Sequence, residues 1–240
     1  VVSRNYHVTV TDNKGCTRED SIIIYEPLAL LVSETHVNVN CYGGTDGSII
    51  LTPSGGTLPF TYQWANSVGA LPNVSSSLSN IPAETYMVTV TDFNGCTKTK
   101  TITVTQPSSP LSLTETHEHV TCFGGNNGNI DVSIQGGTTP YSFLWSNGAI
   151  SEDVSLLLAG NYSLLMTDAN GCNLTFAVTI NQPSAPVSIT SAVTDVNCFG
   201  GTDGDINITT SGGTPPYQYS WVNSSFVLSL TQEDAINFPA

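Results

Sequence analysis

The sequence CYGGTDGSIILTPSGGTLPFTYQW occupies residues 41–64, and two related sequences follow it in the same chain. They are CFGGNNGNIDVSIQGGTTPYSFLW at residues 122–145 and CFGGTDGDINITTSGGTPPYQYSW at residues 198–221. Successive copies start 81 and 76 residues apart. Each copy keeps a cysteine, two Gly-Gly pairs and an aromatic segment that ends in tryptophan. A motif this long, repeated with a period of about 80 residues, indicates a tandem array of small domains.

A second motif, Thr-Asp-x-x-Gly-Cys, recurs out of phase with the first, at residues 11–16, 91–96 and 167–172. Apolar residues alternate before it, as in Tyr86, Val88 and Val90, so each copy predicts a β-hairpin. Asn-Gly at the turn favours a type I′ turn, in which both central residues have positive φ. We expect the aspartate side chain to cap the turn. The predicted turn residues are Asp12, Gly15, Asp92, Asn94, Gly95, Asp168, Asn170 and Gly171.

Proline-containing dipeptides give the predicted domain boundaries, because proline ends each hairpin strand. They are Glu26-Pro27, Gln106-Pro107 and Gln182-Pro183. Residues 1–26 are then the C-terminal hairpin of a preceding repeat, and residues 184–240 the N-terminal part of a further one. Residues 27–107 and 108–183 are complete repeats. We therefore expect the 240 residues to be a segment of a longer array.

Within a complete repeat, the pattern predicts short strands near residues 28–39, 48–53 and 60–64, followed by a variable segment and the hairpin. The aromatic residues of the third strand alternate onto one face. Many short strands, glycine turns and buried aromatic side chains are typical of a small two-sheet β-sandwich. The predicted core aromatic residues are Trp64, Trp145, Trp221, Tyr62, Phe143 and Tyr219.

Charge is scarce and acidic, with 5 Lys+Arg against 19 Asp+Glu. Such a chain repels phosphate backbones and anionic lipid surfaces, so we expect neither nucleic-acid binding nor membrane insertion. The sequence also contains no apolar run of about 20 residues, the length of a membrane-spanning helix.

Three patterns in the chain resemble the SprB repeat: C-[YF]-G-G-x-x-G-x-I, G-G-T-x-P-[YF]-x-[YF]-x-W and Y-x-[VL]-x-[VM]-T-D-x-N-G-C. The aromatic and hairpin segments are also similar, more distantly, to PKD and other Ig-like modules. The resemblance implies an all-β tandem array of small Ig-like or PKD-like β-sandwich repeats. It further implies a large adhesin of gliding Bacteroidota, exported by the type IX secretion system, that acts in adhesion and gliding motility at the cell surface.

Six cysteines occupy two equivalent places in each repeat: Cys41, Cys122 and Cys198 before a strand, and Cys16, Cys96 and Cys172 after the hairpin turn. Recurrent cysteines in such a chain favour disulfides in an extracellular compartment. Pairing within repeats gives Cys41–Cys96 and Cys122–Cys172. In an Ig-like strand order these cysteines lie roughly 20–25 Å apart, whereas a disulfide needs Cα atoms within about 7 Å. The alternatives are a bond between repeats, Cys41–Cys172, and free thiols.

Candidate chemical sites are weak. The chain has no G-x-S-x-G nucleophile motif, and we expect no enzyme activity and no cofactor. Asp46 and Asp203 offer oxygen atoms for calcium, but each loop has one acid and Asn127 replaces it in the second copy. His117 and His119 share a strand face, as zinc ligands would, without a recurring third ligand.

The leading functional hypothesis is a non-enzymatic, load-bearing stalk of a secreted surface filament. Its partners would be neighbouring repeats of the same chain, and surface polysaccharide or other filament subunits. One alternative is a carbohydrate- or matrix-binding module, which requires exposed Tyr62, Phe143 and Tyr219 rings. Another is an accessory region of a secreted hydrolase.

Overall fold

The computed structural model of the chain describes residues 2–222, 227–228 and 232–238. These residues form β-strands joined by turns and loops, with no helix among them. The predicted partial repeat at 184–240 therefore includes residues 223–226, 229–231 and 239–240, which lie outside the described part of the chain. The Cα positions group the chain into two units. Unit 1 contains residues 1–111, 136–138 and 170–172, and unit 2 contains the remainder.

Unit 1 begins with a hairpin of two antiparallel strands, β1 (Val2–Thr11) and β2 (Thr17–Glu26). Their register pairs Thr11 with Thr17 across the turn. The apolar side chains of this hairpin are exposed, as shown by Tyr6, Val8 and Ile22 at 51%, 45% and 57%. Among the residues that the structure describes, no second sheet covers the apolar face of this hairpin.

Seven further strands of unit 1 form two antiparallel sheets of residues 31–104. They are β3 (Leu31–Val37), β4 (Gly47–Ser54), β5 (Thr61–Asn66), β6 (Gly69–Ala70), β7 (Ser77–Ile81), β8 (Glu84–Thr91) and β9 (Thr97–Val104). One sheet has the order β3-β4-β7 and the other the order β6-β5-β8-β9. Alternate side chains of both sheets enter one hydrophobic core, so this repeat is a two-sheet β-sandwich.

Trp64 is at the centre of that core with no exposed surface, and its indole N–H donates to the Ser75 carbonyl at 2.9 Å. Tyr86 is also buried, and its hydroxyl donates to the Pro82 carbonyl at 3.0 Å. Burial raises the pKa of Tyr86, and the nearby Glu84 carboxylate raises it further. Each buried polar group of this pair of aromatic residues therefore has a hydrogen-bond partner, as burial requires.

Unit 2 repeats this strand sequence. Its strands are β10 (Ser112–Glu118), β11 (Gly128–Gln135), β12 (Ser142–Trp145), β13 (Val154–Leu157), β14 (Gly160–Thr167) and β15 (Asn173–Ile180), followed by β16 (Ser188–Thr194), β17 (Gly204–Ser211), β18 (Trp221–Val222), β19 (Val227–Leu228) and β20 (Ala235–Phe238). The sheets are β10-β11-β13, β12-β14-β15, β16-β17-β20 and β18-β19.

The second copy of the sandwich buries Trp145, Leu164 and Met166, and its Trp145 indole N–H donates to the Ser151 carbonyl at 3.0 Å. In the third copy Trp221 is partly exposed, although its indole N–H donates to the Gln232 carbonyl at 3.1 Å. The three tryptophans predicted as core residues therefore differ in exposure. The two buried ones, Trp64 and Trp145, pack with the strands of the hairpin in their own repeats.

The second Gly-Gly pair of each repeat fixes the segment at the start of that repeat. Gly55 has a φ of 69°, and a Cβ atom added there would lie 2.1 Å from the Ala29 carbonyl oxygen. The next residue, Gly56, donates its N–H to the Leu28 carbonyl at 2.7 Å. Only glycine fits this combination of positive φ and close backbone approach.

The hairpin turns differ from the predicted type I′ geometry. In the turn of the first complete repeat, the N–H of Gly95 donates to the Asp92 carbonyl at 3.0 Å, and Gly95 has a φ of 83°. Asn94 is not among the residues with positive φ, whereas a type I′ turn requires positive φ at both central residues. The three-residue loop with a glycine at its end is the other common hairpin connection.

Candidate functional site

The candidate site combines two recurring elements. The glycine loop comprises residues 40–47, and its copies are residues 121–128 and 197–204. The hairpin turn comprises residues 92–96, and its copies are residues 12–16 and 168–172. Every cysteine of the chain lies in one of these two elements.

The glycine loop turns tightly at its cysteine. Gly44 donates its N–H to the Cys41 carbonyl at 2.9 Å, and Gly43 has a φ of 75°. A Cβ atom on Gly44 would lie 2.9 Å from Val39 Cγ1 and 3.0 Å from the Cys41 carbonyl oxygen. The Gly-Gly pair after the cysteine is therefore needed to hold the cysteine at the start of the turn.

An aspartate or asparagine oxygen closes the loop. The N–H of Asn40 donates to Asp46 Oδ1 at 3.2 Å. In the second copy the acceptor is Asn127 Oδ1, at 3.1 Å from the N–H of Thr121. The third copy uses Asp203 Oδ1, 3.2 Å from the N–H of Asn197. A carboxylate and an amide oxygen both accept this bond, which explains why the two residue types interchange.

This contact bears on the calcium candidates. Asp203 accepts hydrogen bonds from the side chain and the backbone of Asn197, and they hold the pKa of its carboxyl below the usual range. The corresponding oxygen of Asp46 accepts the Asn40 N–H. Each acid thus has a structural role within its own loop. The described residues contain no group of three or more His, Cys, Asp or Glu side chains arranged to hold a metal ion.

A glutamine at the end of each complete repeat also binds the glycine loop. Gln106 Oε1 accepts the Gly43 N–H at 2.7 Å, and Gln182 Oε1 accepts the Gly124 N–H at 2.8 Å. The sequence predicted only a domain boundary at these Gln-Pro dipeptides. The recurrence of glutamine at the same place in both complete repeats was the signal that could have identified this contact.

The hairpin turn is held by its aspartate. Asp92 Oδ1 accepts the Cys96 N–H at 2.8 Å, and Asp92 Oδ2 accepts the Thr57 N–H at 2.9 Å. These bonds, led by the one from Thr57, lower the pKa of Asp92. In the exposed hairpin, Asp12 accepts N–H groups from Cys16 and Lys14, and these bonds lower its pKa. Asp168 is buried, as Asp92 is.

A disulfide joins the two elements. It links Cys41 of the first glycine loop to Cys172 of the last hairpin turn, with Cα atoms 5.7 Å apart and 131 positions between them in sequence. That separation is within the ordinary range for disulfides. Both cysteines belong to unit 1, because residues 170–172 group with it. Of the pairings left open by the sequence, the structure contains the bond between consecutive repeats and not Cys41–Cys96 or Cys122–Cys172.

Hydrogen bonds beside the disulfide place the turn against the loop. The Asn170 side-chain amide donates to the Asn40 carbonyl at 2.9 Å and to Thr138 Oγ1 at 3.1 Å. All three residues belong to unit 1. In the preceding copy, the Asn94 amide donates to Thr57 Oγ1 at 3.0 Å. The asparagine before the glycine therefore positions the turn cysteine, a role that sequence reasoning assigned only to turn formation.

The remaining cysteines are Cys16, Cys96, Cys122 and Cys198, which are free thiols with exposed side chains. Two of them lie on hairpin turns and two on glycine loops. Each therefore has the same local geometry as one half of the disulfide.

The aromatic residues predicted for the core have intermediate or low exposure. Trp64 and Trp145 are buried, whereas Tyr62, Phe143, Tyr219 and Trp221 are partly exposed. The Tyr219 hydroxyl donates to Thr210 Oγ1 at 3.3 Å. Of these rings, Tyr62 packs against the core of the first complete repeat.

His36 and His117 each lie beside a glutamate of their own strand, and His119 contacts Asn181. His117 Nδ1 is 3.0 Å from Glu115 Oε2, and His36 Nδ1 is 3.1 Å from Glu34 Oε2. The rings of His117 and His119 have centroids 4.9 Å apart.

Comparison with protein families identifies the repeat. The family model described as the SprB repeat matches residues 33–69, 114–150 and 190–226. This chain carries three SprB repeats. Each match lies within one of the segments 27–107, 108–183 and 184–240, and each includes a complete glycine loop. The disulfide therefore connects the glycine loop of the first SprB repeat to the hairpin turn that follows the second.

Several solved structures are similar to this SprB-repeat chain. The three N-terminal domains of the highly immunogenic outer capsid protein of bacteriophage RB49 are 14% identical to it, with a TM-score of 0.44, over 88% of this chain and 82% of that one. The N-terminal eight Ig domains of the Down syndrome cell adhesion molecule are 15% identical, with a TM-score of 0.39, over 90% and 35%. The tetra-tandem repeat in the extending region of a large adhesion protein is 15% identical, with a TM-score of 0.23, over 98% and 69%.

No curated protein matches the chain in sequence. Among the residues that the structure describes, none belongs to a helix long and apolar enough to cross a membrane.

Proposed function

We propose that this chain is a non-enzymatic, load-bearing segment of a large cell-surface adhesin, in which disulfides join consecutive SprB repeats. The observation that supports the proposal most strongly is the Cys41–Cys172 bond. It connects the glycine loop of one repeat to the hairpin turn of the next, across 131 positions of sequence. On this proposal, adhesion and gliding motility are functions of the parent protein, and this segment supplies length and mechanical resistance.

The disulfide changes the path of an applied force. When the chain is pulled at its ends, tension reaches Cys41 and passes through the disulfide to Cys172. Residues 42–171 are then shielded from extension until the bond is reduced. Sheet hydrogen bonds individually contribute only about 1 kcal/mol to stability, whereas a covalent bond is far stronger. A disulfide between repeats therefore suits a segment that resists stretching.

The same features support an extracellular location. Disulfides persist in oxidising compartments and are rare in the cytosol of mesophiles. The SprB repeats support a surface protein, and export by the type IX secretion system would follow from membership of that class of adhesins. We further propose that residues 27–107 and 108–183 are complete repeats, with 1–26 and 184–240 as parts of adjoining ones.

A carbohydrate-binding module is the alternative that needs exposed rings on the third strand. Tyr62, Phe143 and Tyr219 are partly buried there, which counts against that alternative. We propose neither that function nor an accessory role in a secreted hydrolase.

Force spectroscopy of the 240-residue chain, pulled from its two ends, tests the load-bearing proposal. At 3.3–3.6 Å per extended residue, the 131-residue separation hides roughly 430–470 Å of extension. We expect the fully stretched chain to lengthen by about this amount when a reductant is added. The Cys41→Ser variant should show the longer extension without reductant.

The matched control is Cys96→Ser, which removes a turn cysteine outside the disulfide and should leave the extension unchanged. If the disulfides instead lay within repeats, reduction would lengthen the stretched chain in two separate steps. Opening Cys41–Cys96 would add roughly 180–200 Å, and opening Cys122–Cys172 roughly 165–180 Å. Two such gains, or equal extension with and without reductant, would contradict the proposal.

A further inference from the structure

The side chain of Asn170 lies beside the disulfide. Its amide nitrogen donates to the Asn40 carbonyl at 2.9 Å and to Thr138 Oγ1 at 3.1 Å. The Cys172 sulfur is 3.5 Å from the same Asn40 carbonyl oxygen. We call the contact formed by Asn40, Cys41, Asn170 and Cys172 the joint, and all four residues belong to unit 1. One amide group therefore connects the turn to the loop next to the covalent bond.

Asn170 is followed by Gly171, and asparagine before glycine is the sequence in which spontaneous deamidation proceeds most readily. In that reaction the backbone nitrogen of the glycine attacks the side-chain carbonyl carbon of the asparagine, and glycine has no Cβ atom to obstruct the attack. Gly171 has a φ of 83°, and a Cβ atom added there would have no neighbour within 4 Å. The turn therefore leaves open space beside the reacting nitrogen.

The chain contains four Asn-Gly pairs, and in two of them the amide oxygen is the atom that bonds. Asn127 Oδ1 accepts the Thr121 N–H, and Asn147 Oδ1 accepts the Ala149 N–H. A carboxylate oxygen also accepts such a bond, as Asp46 does in the first glycine loop. Deamidation to aspartate at these two positions therefore keeps the backbone hydrogen bond.

In the other two pairs the amide nitrogen is the atom that bonds. Asn94 Nδ2 donates to Thr57 Oγ1 within its own repeat, whereas Asn170 Nδ2 donates to the loop carbonyl of Asn40. A carboxylate has no hydrogen to donate. Deamidation of Asn170 removes this bond and places a negative oxygen atom beside a carbonyl oxygen, which is repulsive. Of the Asn-Gly asparagines, Asn170 is the one at which deamidation removes a contact of the joint.

We propose that Asn170 is a deamidation site that reacts when the joint is open. In the closed joint, two hydrogen bonds fix its amide group, so they must break before the group can meet the Gly171 nitrogen. Reduction of the disulfide lets the turn leave the loop and frees the side chain. The product has no donor for Asn40, so an opened joint that has reacted closes less readily. This inference rests on the proposed function, because it concerns the same disulfide between repeats.

The reaction requires only water. The Gly171 nitrogen forms a bond to Asn170 Cγ, the bond from Cγ to Nδ2 breaks, and ammonia leaves with the proton of the Gly171 N–H. The product of this step is a cyclic succinimide. Water then adds to one of its carbonyl carbons, and the ring opens to aspartate or to isoaspartate. Each asparagine takes up one water molecule and releases one ammonia molecule.

The rate of deamidation in the oxidised and the reduced 240-residue protein tests the proposal. Both samples are kept in the same mildly alkaline buffer, one of them with a reductant. We expect Asn170 to react at least about fivefold more slowly in the oxidised protein, the factor that one hydrogen bond contributes. Asn94 is the internal reference, because its turn has the same glycine φ of 83° and its cysteine is a free thiol. Its rate should be the same in both samples.

Digestion before aspartate, after reduction and alkylation, identifies the product by mass spectrometry. Unmodified Asn170 lies in peptide 168–194. Conversion to aspartate creates a new cleavage before residue 170, whereas isoaspartate leaves the peptide whole but heavier. Cys41→Ser without reductant should react at Asn170 at the rate of the reduced protein, which separates opening of the joint from an effect of the reductant.

Two results of the rate measurement would overturn the proposal. One is an equal rate at Asn170 in the oxidised and the reduced protein. The other is an Asn170 that stays unmodified in the reduced protein while Asn94 reacts.

The variant Asn170→Asp tests the consequence for the disulfide. The protein is equilibrated in a glutathione redox buffer, and the ratio of the Cys41–Cys172 bond to its free thiols is measured. We expect this ratio to fall about fivefold or more relative to the unsubstituted chain. The matched control is Asn147→Asp, which makes the same change in an Asn-Gly pair outside the joint and should leave the ratio unchanged.

Failure of this inference and failure of the proposed function give different results. If the oxidised protein lacks the Cys41–Cys172 link, the proposed function fails. If the link is present and Asn170→Asp leaves its glutathione equilibrium unchanged, the proposed function stands and the role of Asn170 is overturned.

Discussion

The β1–β2 hairpin and the β8–β9 hairpin have the same sequence pattern and the same fold, but opposite surroundings. Each has a tyrosine at its start, an aspartate at its turn and a cysteine after the turn glycine. The turn glycines, Gly15 and Gly95, both have a φ of 83°. Yet Val8 is 45% exposed and its equivalent, Val88, is 0% exposed.

The difference shows that local sequence determines the hairpin, and the rest of the repeat determines whether its apolar face is buried. Backbone pairing needs only alternation and a suitable turn, which both hairpins contain. Burial needs the opposing β3-β4-β7 sheet and β5. The core residues of a SprB repeat are thus shared between a hairpin and a preceding segment.

The largest expected difference between the hairpins comes from placing a charge on the apolar face. Val88→Asp buries an unpaired carboxylate beside Trp64, and we expect the free energy of unfolding to fall by about 4 kcal/mol or more. Val8→Asp leaves its carboxylate in water, so the change should stay within about 0.5 kcal/mol. Urea unfolding followed by tryptophan fluorescence measures both, and equal losses would contradict the burial assigned to the two faces.

An intermediate effect is expected from the cysteines of the loops and turns. Cys41→Ser opens the covalent loop that Cys172 closes, and loss of a disulfide typically costs about 2–4 kcal/mol of stability. Cys96→Ser removes the thiol of the β8–β9 turn, which forms no disulfide, and should change stability little. The two variants are compared by urea unfolding without reductant. A similar loss in both would show that the structure assigns the wrong turn cysteine.

The smallest expected difference between the two hairpins is in how the free energy of unfolding depends on pH. The Thr57 and Cys96 N–H groups lower the pKa of Asp92, so its contribution to stability is present above the ordinary carboxyl pKa of about 3.9. It is lost as the pH falls through the lowered value in the folded state. In Asp92→Asn, unfolding should therefore depend less on pH below about 4.

The matched variant is Asp12→Asn. The pKa of Asp12 is also lowered, but its donors, Cys16 and Lys14, belong to its own exposed turn. Its loss should alter that hairpin locally and leave the pH dependence of core unfolding unchanged. Unfolding curves between pH 2.5 and about pH 7 measure both variants, and an unaltered pH dependence in Asp92→Asn would contradict the assigned hydrogen bonds.

Much of the fold was predictable because its signals are local and repeated. The periodic motifs indicated a tandem β array, and alternation placed the hairpin strands. The turn type was predicted wrongly because Asn94-Gly95 is only the last part of a three-residue loop. Asp92 and the Gly95 N–H close that loop, a pattern in which the asparagine does not need positive φ.

The candidate site was harder to predict because its contacts span long sequence separations. Gln106 reaches Gly43 across 63 positions, and Cys172 reaches Cys41 across 131. A sequence pattern shows that such residues recur but not which copies meet. The sequence left three arrangements open for the cysteines, namely bonds within repeats, a bond between repeats and free thiols. The choice among them required the positions of the loop and turn in space.

The most direct test of the account is to map the disulfides of the oxidised 240-residue protein by digestion before aspartate and mass spectrometry without reduction. This digestion places Cys41 in peptide 20–45 and Cys172 in peptide 168–194, whereas Cys96 and Cys122 share peptide 92–130. The account predicts that peptide 20–45 is linked to peptide 168–194. A link from peptide 20–45 to peptide 92–130, with 168–194 joined to 92–130 as well, would mean separately closed repeats and would contradict it.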